Sequence, residues 1–181
     1  MKFDNIENKC HKTLNGEEIW DSRSVAVVGM ILMKHEGEIY IILGKRGIAS
    51  PNEIGKFCMP CGYLDKNETC EEAVVREIYE ESGFNVNREL IKCEEVINHM
   101  NFPWKINSTP DTELQNVSMH YALFLKSDEE GLPELTFEHN AVKDEVSEVK
   151  WVNVNDVNQY DMAFNHDSTI RVFINNLPDN I

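Results

Sequence analysis

Residues 24–33 read Ser-Val-Ala-Val-Val-Gly-Met-Ile-Leu-Met, an almost unbroken apolar run. Its nine residues without a polar side chain, 25–33, fall well short of the ~20 that a membrane-crossing helix needs. A short run rich in Val and Ile suits a β-strand buried on both faces. Such a strand requires a sheet covered on each side, and 181 residues with 41% apolar content supply the cover. His35, Glu36 and Gly37 then form a tight turn, and residues 38–43 form a second strand, giving a hairpin.

The rest of the chain mixes strands and helices without regular alternation. Residues 1–23 are polar, with Trp20 the main apolar anchor, and read as an N-terminal arm ending in a short strand. Residues 24–181 read as a single domain. Residues 47–55 read as loop and 56–64 as a short strand leading into a turn. Strands are expected over 89–99, 117–125 and 146–154, with an acidic turn at 127–131. Residues 101–116 read as a long polar loop, and helices are expected at 155–162 and 163–176. The fold class is α/β, a sandwich around a mixed sheet.

The clearest helix spans 69–82. Thr69 with Glu72 three residues later is a capping box, and Gly83 is the stop. Glu77, Glu80 and Glu81 lie at i, i+3 and i+4 and project from one face, while Val74, Val75 and Ile78 cover the adjoining arc. Like charges at this spacing cost a few tenths of a kcal/mol per pair. A divalent cation among them would offset that cost, and an oxygen-only ligand set suits Mg²⁺ or Mn²⁺. Taken alone, three glutamates read first as an ordinary solvated helix face.

The surroundings of the helix decide between these readings. Gly62 is followed by Glu68, and then by Arg76-Glu77-Ile78-Tyr79-Glu80-Glu81-Ser82-Gly83-Phe84. This resembles the box of the Nudix hydrolase family, matching every defined position over 23 residues. Upstream, Phe57 and Pro60 fill the family's aromatic and proline positions, whereas Cys61 stands where the family usually has glycine. The resemblance implies an α/β/α sandwich and hydrolysis of a phosphoric anhydride in a nucleoside diphosphate linked to another group. It implies metal ligation by Glu77, Glu80, Glu81 and the Gly62 carbonyl, with Mg²⁺ expected and Mn²⁺ an alternative. Arg76 would hold the glutamates in shape, Glu68 would brace the turn, and Gly62 and Gly83 would supply backbone freedom. The general base varies within the family: a box glutamate such as Glu81 or Glu77, or a later acid, here Glu145 or Glu148.

Other residues have two readings each. Arg46, with Lys45, ends the second strand and is either a phosphate contact or a solubilising strand end. Arg23 could reach substrate from the arm. Trp104 could stack on a base or pack on the sheet, and Gln115 and Asn116 could read a base or begin a strand. Phe164, His166 and Asp167 lie where family members place substrate-side residues, and Asn165 is also a candidate helix cap. His120 and Cys70 read as structural. Cys58-x-x-Cys61 has no second pair at zinc spacing.

With 17 basic against 32 acidic residues, the net charge of −15 argues against a polyanion such as nucleic acid as the main partner. Five cysteines and no visible export signal suggest reduced thiols in the cytoplasm. The expected partner is a small nucleotide, with ADP-ribose or another nucleotide sugar favoured. Nucleoside triphosphates, or a ligand-sensing role without catalysis, are the alternatives. A homodimer is the family's common habit.

Overall fold

The computed structural model describes residues 8–108, 116–127, 131–140 and 142–178. Its strands are β1 (Lys9–Lys12), β2 (Glu18–Asp21), β3 (Val25–His35), β4 (Glu38–Arg46), β5 (Phe57–Cys58), β6 (Cys61–Tyr63), β7 (Glu94–His99), β8 (Lys105–Ser108), β9 (Val117–Lys126) and β10 (Val146–Asn153). Its α-helices are α1 (Cys70–Ser82), α2 (Val86–Lys92) and α3 (His166–Asn175), with a 3-10 turn at Val154–Gln159.

Among the described residues the main sheet has eight strands, with β10-β4-β3-β9-β7 as its spine and β5, β6 and β8 pairing with β4, β3 and β9. β3 and β9 run parallel and the other pairs antiparallel, so the sheet is mixed. β3 is the buried central strand that its sequence demands. Val27, Ile31 and Met33 enter a core with Ala73, Val74 and Ile78 of α1 and Val86 of α2. Val28, Met30 and Leu32 enter the opposite core with Val157, Ile170 and Phe173. Side chains alternate across a strand, so one apolar run serves both cores. Gly29 lets α1 approach, because a Cβ there would lie 2.6 Å from the Ile78 side chain.

The β3–β4 hairpin turns at Glu36 and Gly37, both with positive φ, and is paired from Leu32 to His35. Beyond that the two strands splay. β6 takes the edge of β3 at Ala26–Val28, and β5 takes the edge of β4 at Gly44 and Lys45. The corner between β5 and β6 is thus wedged into the opening. There Pro60 C=O accepts from Gly29 N–H at 2.9 Å, and Met59 N–H donates to His166 Nδ1 at 3.1 Å.

Several expected elements differ. Residues 56–64 make two short strands with a corner, since each half finds a different edge. Residues 89–99 are not one strand: α2 fills the first part, capped by Asn85 Oδ1 accepting from Arg88 N–H at 3.0 Å, and β7 the second. The stretch 101–116 contains β8, paired with β9, and its residues 109–115, with Gln115, lie outside the described residues. So do residues 1–7 and residues 128–130 of the acidic turn. Of the helix expected at 155–162, a 3-10 turn forms. The arm carries a hairpin, β1–β2, whose residues are exposed on both faces, Trp20 at 61%.

Candidate active site

Helix α1 starts as its sequence requires. Thr69 Oγ1 accepts from Glu72 N–H at 3.2 Å, and Glu72 Oε2 accepts from Thr69 N–H at 2.8 Å. Gly83 ends the helix with φ 68°, a conformation that costs glycine little, and donates its N–H to Tyr79 C=O at 2.8 Å. Because β6 pairs with β3 and α1 packs over β3, residues 61–63 lie against the glutamate face.

Arg76 organises that face. Its Nε and Nη2 donate to the two carboxylate oxygens of Glu68 at 3.0 and 2.7 Å, a bidentate pair. Its Nη1 donates to Glu77 at 2.7 Å and to Glu80 at 3.1 Å, and Nη2 also reaches Tyr63 C=O at 3.2 Å. Glu81 is 5% exposed and accepts from the Cys61 N–H at 3.0 Å. A methyl group on Gly62 would overlap the Glu77 carboxylate. Gly62 does not adopt a positive φ, so its missing side chain supplies room for the Glu77 carboxylate rather than the backbone freedom expected from sequence.

Three glutamates therefore share one guanidinium, and Glu81 is held instead by the Cys61 N–H. Burial pushes the Glu77 carboxyl up to about 7 against the opposing pull of Arg76. Burial also pushes Glu81 well above its ordinary value, with the neighbouring Cys58 and Glu77 adding to it. Glu68 moves the other way, lowered by its hydrogen bonds from Arg76. Burial makes charge on Glu77 and Glu81 costly, a cost that a divalent cation would offset, and the oxygen-only donor set with the Gly62 backbone beside it suits such an ion. Among the described residues no three acidic, His or Cys side chains are gathered in a ready coordination shell. Arg76 and the Cys61 N–H engage the oxygens instead.

Glu145 approaches from the loop before β10 and contributes repulsion to both Glu77 and Glu81. Its carbonyl accepts from Gly47 N–H at 2.7 Å and Ser50 Oγ at 2.9 Å, and Ala49 N–H donates to Asp144 C=O at 3.1 Å. A Cβ at Gly47 would collide with Asp144 C=O, so glycine permits this clip. Glu148 is drawn off into an ion pair with Lys150 at 2.6 Å.

The remaining candidates divide. Arg46 is 8% exposed; it donates to Asn52 C=O at 2.9 Å and to Asn52 Oδ1 at 3.2 Å, with its guanidinium 4.9 Å from the centre of the Phe164 ring. Lys45 lies over the Phe57 ring. Arg23 points to the β8–β9 edge, donating to Ser108 Oγ at 2.7 Å and Asn116 C=O at 2.8 Å. Trp104 packs down between sheet and α3, 5.0 Å from Phe173 and 6.4 Å from His120 between ring centres. Asn165 occupies the cap position of α3 in a left-handed conformation, without a side-chain capping bond. Asp167 pairs with Arg171 at 2.7 Å. Buried His166 accepts from the Met59 N–H, and burial lowers His166 to about 3 and His120 to about 4. Sequence reasoning missed Asn52, which fixes Arg46; its only signal was an Asn in the loop after that strand.

Residues 23–173 match the NUDIX domain family. The chain belongs to the Nudix hydrolase family. A NAD-capped RNA hydrolase of Schizosaccharomyces pombe is 37% identical over 82 residues, covering 45% of this chain and 19% of that protein. An RNA pyrophosphohydrolase of Bartonella henselae is 35% identical over 83 residues, 44% of this chain and 46% of the relative. The match thus spans less than half the length of either curated relative. Among solved structures, the Nudix domain of Shewanella oneidensis NrtR complexed with ADP ribose superposes with TM-score 0.61 at 19% identity, covering 87% of this chain and 90% of that one. A bifunctional NMN adenylyltransferase/ADP ribose pyrophosphatase of Francisella tularensis, complexed with AMP and a manganese ion, gives 0.59 at 20% identity, covering 85% and 42%. These likenesses bear out the Nudix α/β fold. Among the described residues no helix is long and apolar enough to cross a membrane.

Proposed function

We propose that this Nudix protein hydrolyses the phosphoric anhydride of a nucleoside diphosphate linked to a second group, in the cytoplasm and with Mg²⁺ or Mn²⁺. The observation that carries the reading is the half-buried carboxylate face of α1, with Glu77 and Glu80 gathered on Arg76, Glu81 held by the Cys61 N–H and Gly62 pressed against Glu77. Glu77, Glu80, Glu81 and the Gly62 carbonyl would hold the cation. When bound, such an ion offsets charge on the phosphate oxygens and acidifies a water.

The chain's own residues supply the rest. Arg76, braced on Glu68, keeps the glutamates from spreading under their mutual repulsion. Glu145, or a box glutamate such as Glu81, accepts the proton of the attacking water. That water's oxygen bonds to phosphorus as the bridging P–O bond breaks, leaving two phosphate-bearing products. Arg46, held by Asn52 and Phe164, presents positive charge to the substrate phosphates. The packing of Trp104 on Phe173 and the bonding of Arg23 to the β8–β9 edge favour supporting roles for both over direct contact.

For substrate we favour ADP-ribose or another nucleotide sugar, supported by the ADP ribose bound to the NrtR domain of the same fold. The test is incubation with Mg²⁺ and a panel of ADP-ribose, other nucleotide sugars, dinucleotides, triphosphates and capped or triphosphorylated RNA ends. Selective turnover, largely lost in Glu81→Gln, is expected. Binding of a nucleotide without turnover of anything on the panel would move the protein to the sensing role.

A further inference from the structure

Trp104 is packed away between the sheet and α3, whereas Phe164 stays 37% exposed. The backbone around Phe164 shows how it is presented. Before it, Ala163 N–H donates to Phe57 C=O at 2.8 Å, which ties the segment to β5. After it, His166 turns inward, 2% exposed, and its Nδ1 accepts from Met59 N–H at 3.1 Å. The His166 N–H donates to Ala163 C=O at 3.0 Å, closing the turn. Between these anchors Phe164 and Asn165 reverse the chain with φ 56° and 55°. Asparagine tolerates that left-handed conformation, but a bulky aromatic residue adopts it against a steric penalty. Glycine would make the same turn more easily. The turn itself calls for no ring.

What the ring touches is Arg46. The guanidinium carbon lies 4.9 Å from the centre of the Phe164 ring, and the ring centres of Phe164 and His166 are 5.5 Å apart. Asn52 fixes the same guanidinium through Nε and Nη2. Arg46 is 8% exposed, so a cation held in place adjoins an aromatic ring that remains open to solvent. A nucleotide carries its phosphate and its base one ribose apart. A fixed cation with an aromatic surface beside it matches that pair of groups.

We propose that Phe164 is a specificity-determining residue: the base of the nucleotide whose phosphate lies on Arg46 stacks on the Phe164 ring. The substrates so selected are nucleoside phosphates, in preference to phosphates of groups without an aromatic ring. Every base has a π-face, so the stack recognises a ring without choosing among bases. The phosphate role of Arg46 belongs to the proposed hydrolase function, and this inference rests on that reading.

The experiment compares AMP with ribose 5-phosphate, which lacks only the base. Both are titrated calorimetrically into the full chain in Mg²⁺, as wild type, Phe164→Leu and Phe164→Tyr. The H2 and H8 protons of AMP are followed by NMR, because stacking on an aromatic face moves them upfield. Phe164→Leu should weaken AMP about tenfold and leave ribose 5-phosphate unchanged, while Phe164→Tyr keeps AMP affinity. The upfield shift should appear with wild type and Phe164→Tyr and vanish with Phe164→Leu. In turnover of ADP-ribose, Phe164→Leu should raise KM about tenfold and change kcat little. Equal loss of both ligands in Phe164→Leu would show a ring that only steadies Arg46, and overturns the proposal. So does AMP affinity, or an AMP proton shift, that does not depend on the ring. If the protein hydrolyses nothing, the hydrolase reading fails by itself, and the AMP titration with its proton shifts still decides this one.

Discussion

Glu77 makes a prediction that links the site to folding. Its carboxyl titrates at about 7 in the folded protein against an ordinary value of 4.5. Between those values the folded protein holds a proton that the unfolded chain has lost, so stability falls as pH rises through the window. At about 1.4 kcal/mol per pH unit, the cost is under 1 kcal/mol at pH 5 and about 3 kcal/mol at pH 8. Two buried histidines act in the opposite sense. His120 and His166 titrate at about 4 and 3 against 6.5, so each adds stability as pH rises toward 6.5. A bare pH profile therefore mixes the two effects. The informative comparison is wild type against Glu77→Gln without divalent cations, where the histidine contributions cancel. The variant should gain on the wild type by about 2–3 kcal/mol from pH 5 to pH 8, read by urea unfolding. Mg²⁺ at about 100 times its dissociation constant should then restore about 2.7 kcal/mol to the wild type and little to the variant. A gap that stays constant with pH, or runs the other way, would refute the reasoning that burial outweighs Arg76 at this carboxylate.

Arg76→Lys replaces a fork serving three glutamates with a point charge, and divalent affinity should fall about 10- to 100-fold by calorimetry while far-UV circular dichroism stays unchanged. Gly62→Ala should displace the Glu77 carboxylate and lower kcat about 10²-fold in steady-state assays. Thr69→Ala removes half of the capping box and should cost about 1 kcal/mol in chemical unfolding. Among the described residues neither ring nitrogen of His120 has a hydrogen-bond partner; His120→Phe should raise stability by about 1 kcal/mol at pH 7 and flatten its rise between pH 4 and 6.5.

What is legible in the sequence is what is encoded within one turn or one strand. The cap, glutamate face and stop of α1 all fall within 15 residues, so helix and site can be read together. The two-sided burial of β3 is equally local. Helix α2 is obscured because its apolar Val86 and Leu90 are followed by residues 94–99, whose alternation runs backward into them; Asn85 was the cue. β8 reads Lys-Ile-Asn-Ser and is a strand chiefly because the edge of β9 is available to it. The place of Trp104 depends on Phe173, 69 residues away, and that of Arg46 on Phe164, 118 residues away. No local pattern carries such contacts.

The clip at Gly47 makes two distant loops a single movable part. The loop that follows Arg46 and the loop that carries Glu145 share three hydrogen bonds, and there is no room for a side chain between them. Loop exchange is a natural way to redirect specificity on a scaffold of this kind. Here a new sequence at 47–50 would need a matching one at 144–145, because either alone would detach the acid from the carboxylate face of α1. A library that varies the two segments together should yield active chimeras at a rate that single-loop grafts do not reach.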